Sequence, residues 1–343
     1  MRVNVSSLLT QGLAVDLGSA TTRMALAGRD AVWREPSVVA YREDAEGERR
    51  PVAVGTLARA MLGRTSPAIQ TARPVRGGIV EDYQAAEEVL RFLLGRVQGR
   101  KPLVAPEALI TLPAGVTEVE RRAARECTER AGIKRLRFIG QPLAAALGAG
   151  LPLAAPEGNM IVDVGAGSTQ VSVISLGGVV HARRVAGAGE AMDAALIRWM
   201  ETIHGLCIGP ATAEDLKLRL GGAFPGARSG RMAVAGLDRE RRLPRRVVVE
   251  AAAVAEVLQP VVESIVEAIT ATLERIPPEL VADVAGKGAL LIGGGALLPG
   301  LDEAIGRRIR LAVFVPEEPL STVVLGAARA LTLADDLGGI FQD

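Results

Sequence analysis

Two short runs combine the residue types that hold a phosphorylated ligand: Asp16-Leu17-Gly18-Ser19 and Asp163-Val164-Gly165-Ala166-Gly167-Ser168. In each, an acidic residue closes an apolar run and the chain turns through glycine into a small hydroxyl residue. Glycine lets backbone N–H groups approach phosphate oxygens with no Cβ in the way, and Ser or Thr hydroxyls add donors. A carboxylate at a strand end can hold Mg2+ through water, because that ion gives up its hydration shell reluctantly. A single Asp-x-Gly turn is commonplace and structural. Two copies in separate halves, with a third glycine run at Gly293-Gly294-Gly295, point instead to a nucleotide gripped from both sides.

The elements that must position these turns are legible in the apolar pattern. Leu13-Ala14-Val15 and Met160-Ile161-Val162 lead into the turns, while Met24-Ala25-Leu26 and Val171-Ser172-Val173-Ile174 lead out, so each copy is a hairpin with its chemistry at the tip. A strand is expected over 35–40, then a charged turn over 42–50, a strand over 52–54, a turn over 73–78 and a helix over 82–94. Leu109-Ile110-Thr111-Leu112 reads as a buried strand, and Thr117 with Glu120 as the capping box of the next helix. The apolar stretch 138–155 is broken by Gln141, Pro142 and Pro152 and reads as a buried helix and loop, not a membrane span. Further helices are expected over 191–203, over 212–220 with Thr212 as N-cap, and along an apolar stripe from Val261 to Leu273 that Pro277-Pro278 stops. A strand over 289–292 runs into the third glycine run.

Composition narrows the function. A chain of 343 residues suits two domains or two related lobes. The net charge of +1 supplies no field for nucleic acid, and 3% aromatics leaves few stacking platforms. Cys127 and Cys207 form no C-x-x-C pattern and read as reduced, small core residues of a cytosolic protein. His181 and His204 cannot build a three-histidine zinc site and read as surface or boundary residues. The opening residues lack the apolar core of a signal peptide.

Four segments together carry a resemblance: 16–22, Leu112-Pro113-Ala114-Gly115-Val116-Thr117-Glu118-Val119-Glu120-Arg121-Arg122-Ala123, 162–169, and Leu291-Ile292-Gly293-Gly294-Gly295-Ala296-Leu297-Leu298. With Glu35-Pro36-Ser37-Val38-Val39, the strand-like run Ile174-Ser175-Leu176-Gly177-Gly178, 213–217 and 277–280, they resemble the MreB/Mbl family of bacterial actin homologues over nearly the whole chain. The phosphate turns alone would suit any actin, chaperone ATPase or sugar kinase; the 117–123 helix and the 174–178 segment are more particular. The resemblance implies an α/β, actin-like (ribonuclease H-like duplicated) fold with two lobes and a small subdomain inserted in each. Its parts would be subdomain IA at 1–32, 76–142 and 317–343, IB at 33–75, IIA at 143–183 and 250–316, and IIB at 184–249. It further implies an ATP-dependent filament on the inner face of the cytoplasmic membrane that organises wall synthesis with membrane proteins of that machinery. ATP and Mg2+ would be the cofactors. Asp16 and Asp163 would hold Mg2+ through water, and Gly18, Ser19, Ala20 and Thr21 would cradle phosphates with Gly165, Ala166, Gly167, Ser168 and Thr169. Glu214 and Lys217 would sit at the ribose and base, and Gly293, Gly294, Gly295, Ala296 and Leu297 beneath the adenine and α-phosphate.

Departures from the family pattern bear on catalysis. The family carries two glutamates before Pro142, the second orienting or activating the attacking water, whereas this chain has Gly140-Gln141. Glutamine can position water but cannot take its proton, which implies slow turnover with Gln141 and Ser168 in the catalytic role. Ala166 replaces a glycine, harmless if its φ is negative. Arg100-Lys101-Pro102-Leu103-Val104-Ala105-Pro106 puts Leu103 and Val104 behind two cations, which suits either shallow membrane insertion or an ordinary strand entry. The arginines at 239, 241, 242, 245 and 246 read as a solvated turn, with an acidic partner or lipid headgroups as the alternative. A sugar kinase would need a further catalytic aspartate and a chaperone ATPase a downstream peptide-binding domain. A nucleotide-binding scaffold that modulates another filament without hydrolysis is the principal rival.

Overall fold

Strand and helix positions follow the apolar periodicity in the computed structural model, which describes residues 12–98 and 107–333. The first half contains β1 (Leu13–Leu17), β2 (Thr21–Leu26), β3 (Val32–Pro36), β4 (Val39–Glu43), β5 (Arg49–Val54), α1 (Thr56–Met61), β6 (Ile69–Ala72), β7 (Val75–Arg76), β8 (Ile79–Val80), α2 (Tyr83–Gln98), β9 (Glu107–Leu112), α3 (Glu118–Arg130), β10 (Arg135–Gly140) and α4 (Gln141–Ala149). It is followed by β11 (Asn159–Val164), β12 (Ser168–Ser175), β13 (Gly178–Ala186), α5 (Gly189–Thr202), β14 (Leu206–Cys207), α6 (Pro210–Leu220), β15 (Arg231–Asp238) and β16 (Pro244–Glu250). The chain continues through α7 (Ala251–Leu273), α8 (Pro278–Lys287), β17 (Ala289–Ile292), a 3-10 turn (Gly294–Leu297), α9 (Leu301–Ile309), β18 (Val313–Phe314) and α10 (Thr322–Thr332). The described residues fall into two compact units, one within 1–161, 172–182 and 320–343, the other within 162–171 and 183–319.

The first unit is built on a five-stranded mixed sheet of order β10-β9-β1-β2-β3. Strand alternation decides which side chains meet which helices. Leu13, Val15 and Leu17 join a core with Leu90 and Leu93 of α2 and Ala124 and Cys127 of α3. Ala14 and Asp16 therefore point to the opposite face, where α4 and α10 pack. Small residues bring those two helices together: a Cβ on Gly326 would lie 1.7 Å from the Ala144 carbonyl oxygen, and one on Gly148 would lie 1.9 Å from that of Thr322. Arg329 closes the α4 C-terminus by donating to the carbonyls of Leu147 at 3.1 Å and Gly148 at 2.9 Å. Thr117 caps α3 with the expected reciprocal bonds to Glu120. A second five-stranded sheet has the order β13-β12-β11-β17-β18, and a smaller one, within the second unit, has the order β14-β15-β16.

Several expectations are corrected. The segment 35–40 is not one strand: β3 ends at Pro36 and β4 begins at Val39 in a different sheet, because Ser37 turns back to donate its N–H to the Ala20 carbonyl. The stretch 138–155 begins as strand, with Phe138 buried in β10, before α4 starts at Gln141. Thr212 lies inside α6, whose N-cap is Gly209 with Pro210 at the first helical position. The stripe expected from Val261 extends back to Ala251, and α7 carries Pro260 internally while burying Val254, Ala255 and Leu258. Residues 174–178 are the β12–β13 turn, where Leu176 at φ 50 and Gly177 at φ 73 give the paired left-handed geometry of a tight hairpin. Leu103 and Val104 lie outside the described residues. No described helix is long and apolar enough to cross a membrane.

The cysteines differ more than expected. Cys127 is fully buried and burial pushes its thiol from the ordinary 9.0 up to about 11, whereas Cys207 is half-buried. The neutral Cys127 thiol is thus favoured in the fold, a contribution complete below about 9 and lost as pH climbs towards 11. At pH 8 a thiol reagent should titrate Cys207 in the native protein and Cys127 only after denaturant is added. Equal reaction rates for both thiols would contradict this packing.

Candidate phosphate-binding turns

Asp16, the penultimate residue of β1, lies on the α4–α10 face, and its neighbours there fix the carboxylate. Thr111 at the end of β9 donates its hydroxyl to Asp16 Oδ1 at 2.7 Å, and Gln141, the first residue of α4, donates Nε2 to the same oxygen at 3.4 Å. Arg23, paired opposite Asp16 in the β1–β2 register, brings Nη1 within 3.9 Å of Oδ2. Asp16 is 8% exposed, so these contacts set its orientation more than solvent does. The turn itself is braced: Ser37 donates its hydroxyl to the Gly18 carbonyl at 2.7 Å, and Ser19 Oγ accepts the Gly78 N–H at 3.2 Å. A Cβ on Gly18 would lie 2.8 Å from the Thr21 carbonyl oxygen, so this turn needs glycine.

In the second unit the turn after β11 is held by the start of α5. Gly189, Glu190 and Gly187 donate their N–H groups to the carbonyls of Gly165 at 3.2 Å, Ala166 at 2.8 Å and Gly167 at 3.0 Å. Because each peptide is planar with C=O and N–H opposed, the N–H groups of Ala166, Gly167 and Ser168 face away from α5. Successive backbone N–H groups turned the same way are the arrangement that binds anions. Among the described residues the only non-glycine positions with positive φ are Leu176, Arg242 and Arg310, so Ala166 adopts ordinary backbone and the missing glycine costs nothing. Ser168 is half-exposed at the turn, whereas Thr169 is fully buried, which takes its side chain off the outer face.

Lys217 reaches this turn indirectly. Its Nζ donates to the Gly189 carbonyl at 2.8 Å and pairs with Asp193 Oδ1 at 2.9 Å, tying α6 to the helix start that orients the turn. Glu214 lies half-buried on the same helix. The third glycine run passes against β11: a Cβ on Gly293 would lie 2.4 Å from Asp163 Oδ1, and one on Gly295 would lie 2.2 Å from Val164 Cγ1. Gly294, Ala296 and Leu297 continue it as a 3-10 turn with Leu297 exposed. The second unit therefore gathers Asp163, the 165–168 turn, Lys217 and the 293–297 run, and the first gathers Asp16, the 18–21 turn and Gln141. The sequence did not single out Arg23, Ser37, Gly78, Thr111 or Asp193 as site residues; the acid-opposite-arginine register of β1 and β2 was the one available signal.

These features suit Mg2+ and a polyphosphate. No cluster of three or more His, Cys, Asp or Glu side chains forms among the described residues, so a divalent ion held by Asp16 or Asp163 would keep most of its waters, as Mg2+ does. At Gly18, Gly293 and Gly295 the chain passes too close to its own neighbours for any side chain, which fixes the course of the glycine turns.

The fold and paired turns define an actin-like protein. The structure resembles the crystal structure of MreB5 of Spiroplasma citri bound to AMPPNP, with a TM-score of 0.89 and 27% identity over 95% of this chain and 97% of that one. It shares its fold with the MamK double helical filament, at a TM-score of 0.76 and 21% identity over 95% of this chain and 99% of that one. The sequence is 39% identical to the cell shape-determining protein MreB of Escherichia coli over 334 residues, 97% of this chain and 96% of the relative. Residues 10–338 match the MreB/Mbl protein family model, and the chain belongs to that family.

Proposed function

We propose that this protein binds ATP with Mg2+ and polymerises into cytoskeletal filaments on the inner face of the cytoplasmic membrane, organising wall synthesis and rod shape. The observation that supports the reading is the 165–168 turn, whose carbonyls accept from Gly187, Gly189 and Glu190 and whose N–H groups therefore turn the other way, in a chain similar to a structure solved with AMPPNP. The division into subdomains IA, IB, IIA and IIB is part of the same reading.

In this reading each turn is a phosphate-binding element. Asp16 and Asp163 would hold Mg2+ through its waters, and the ion when bound would neutralise phosphate charge. Glu214 and Lys217 face the ribose and base. Gln141, anchored through its amide to Asp16, leaves Oε1 to orient the attacking water, with Ser168 positioned beside the phosphates. An amide cannot accept the water's proton, so turnover is slow and nucleotide state times the polymer.

Sedimentation is the direct test: pelletable polymer should form with ATP and Mg2+ and not without nucleotide. In a phosphate-release assay Gln141→Ala should lose roughly tenfold or more, and Gln141→Glu should gain several-fold by restoring a proton acceptor. If both variants match the parent, Gln141 has no role in hydrolysis. The same Gln141–Asp16 bond favours a second reading, a scaffold that binds nucleotide without cleaving it and modulates another filament. That reading requires nucleotide binding with neither phosphate release nor sedimentation of the protein alone.

A further inference from the structure

The β15–β16 hairpin ends in a cationic tip that no part of the nucleotide chemistry uses. Between 238 and 246 lie five arginines, Arg239, Arg241, Arg242, Arg245 and Arg246, against Asp238 and Glu240. The fold separates them into two kinds. Asp238 builds the turn, its Oδ1 accepting the N–H of Glu240 at 3.1 Å and of Arg241 at 2.8 Å, while Oδ2 accepts Arg245 Nη1 at 2.6 Å. Arg245 also donates to the His204 carbonyl, so its guanidinium is engaged within the fold although exposed. Arg239 leans towards Glu201 at 3.9 Å.

Arg241, Arg242 and Arg246 are exposed, and no acidic side chain forms an ion pair with them among the described residues. Arg246 follows Arg245 along the strand and so projects from the opposite face of the hairpin. Leu243 stands among them at 61% exposure. Arg242 holds φ 57, a left-handed conformation that costs a non-glycine residue about 1 kcal/mol. Backbone bonds from Arg242 N–H to the Asp238 carbonyl at 3.0 Å and from Asp238 N–H to the Leu243 carbonyl at 2.9 Å keep the tip in place.

We propose that this tip is a contact for an anionic phospholipid surface, separate from the 100–106 loop, with Leu243 entering the headgroup layer and Arg241, Arg242 and Arg246 binding lipid phosphates. The exposed tip spans only a few residues, against the roughly 20–30 residues a side that a stable protein interface buries. An apolar side chain ringed by unpaired guanidinium groups matches a charged interface with hydrocarbon beneath it.

The test is co-sedimentation of the full chain with phosphatidylcholine vesicles and with vesicles containing equal parts phosphatidylglycerol. The Leu103→Ser/Val104→Ser background separates the tip from the loop. In that background the parent tip should bind anionic vesicles in a salt-sensitive manner. Arg241→Ser/Arg242→Ser/Arg246→Ser should weaken that binding about a hundredfold, and Leu243→Ser by a smaller factor. The altered side chains bear on no core contact, so the melting curve and ATP-dependent sedimentation of the variant should match the parent. Vesicle binding that survives the triple substitution overturns the proposal, as does equal binding to both vesicle types. Loss of nucleotide-dependent polymer in the parent would overturn the filament reading and leave this one standing.

Discussion

Gly326→Ala should destabilise the protein by about 3 kcal/mol, lowering the midpoint of a circular-dichroism melt by roughly 5–10 °C. The added Cβ would meet the Ala144 carbonyl oxygen at 1.7 Å and the Gly148 nitrogen at 2.6 Å. Both are backbone atoms of α4, so no rotamer change can relieve the overlap. The helices must separate, which loosens α10 from β1 and β9 as well. Gly286→Ala is the matched control. It sits in α8 with nothing within 4 Å of its Cβ position, and alanine there should be neutral or stabilising by about 0.5–1 kcal/mol. If Gly326→Ala melts with the parent, α4 and α10 do not approach as described.

Gly293→Ala should act on ligand binding more than on folding. At φ 83 and ψ −177 the residue occupies a region open essentially to glycine, and alanine carries about 1–3 kcal/mol of strain there. Its Cβ would also lie 2.4 Å from Asp163 Oδ1 and 2.5 Å from the Val164 carbonyl oxygen. Relief requires displacing the carboxylate or the end of β17. On the proposed function, isothermal titration with ADP should show affinity reduced roughly tenfold or more with Mg2+ present, and by less in EDTA, because Asp163 acts through the ion. Unchanged affinity in Mg2+ would remove Asp163 from the site.

Local chemistry was readable from the sequence where it was self-contained. The two Asp-Gly hairpins and the Thr117–Glu120 capping box stand where the pattern put them, since strand alternation and capping involve residues a few positions apart. The misreadings arise where tertiary contacts override local preference. Thr212 is a good N-cap residue, yet Pro210 starts α6 earlier. The expected apolar stripe starts only at Val261, yet α7 begins at Ala251 and continues through Pro260. The partners of the site residues were beyond reach for the same reason: Thr111 meets Asp16 across 95 positions of sequence, and Lys217 meets Gly189 across 28. Residue type named the candidates, but only the fold shows which atoms hold them still.

The nine residues of α4 join two features described separately. Gln141 forms one end and bonds Asp16, while the carbonyls at the other end are clasped by Arg329 of α10. With Gly326 against Ala144 midway, α4 has little freedom to bend or slide. Held at both ends and at its middle, α4 fixes the position of the Gln141 amide relative to α10. The geometry around the Asp16 carboxylate is therefore set as much by the α4–α10 packing on the far side of the helix as by the strand that carries it.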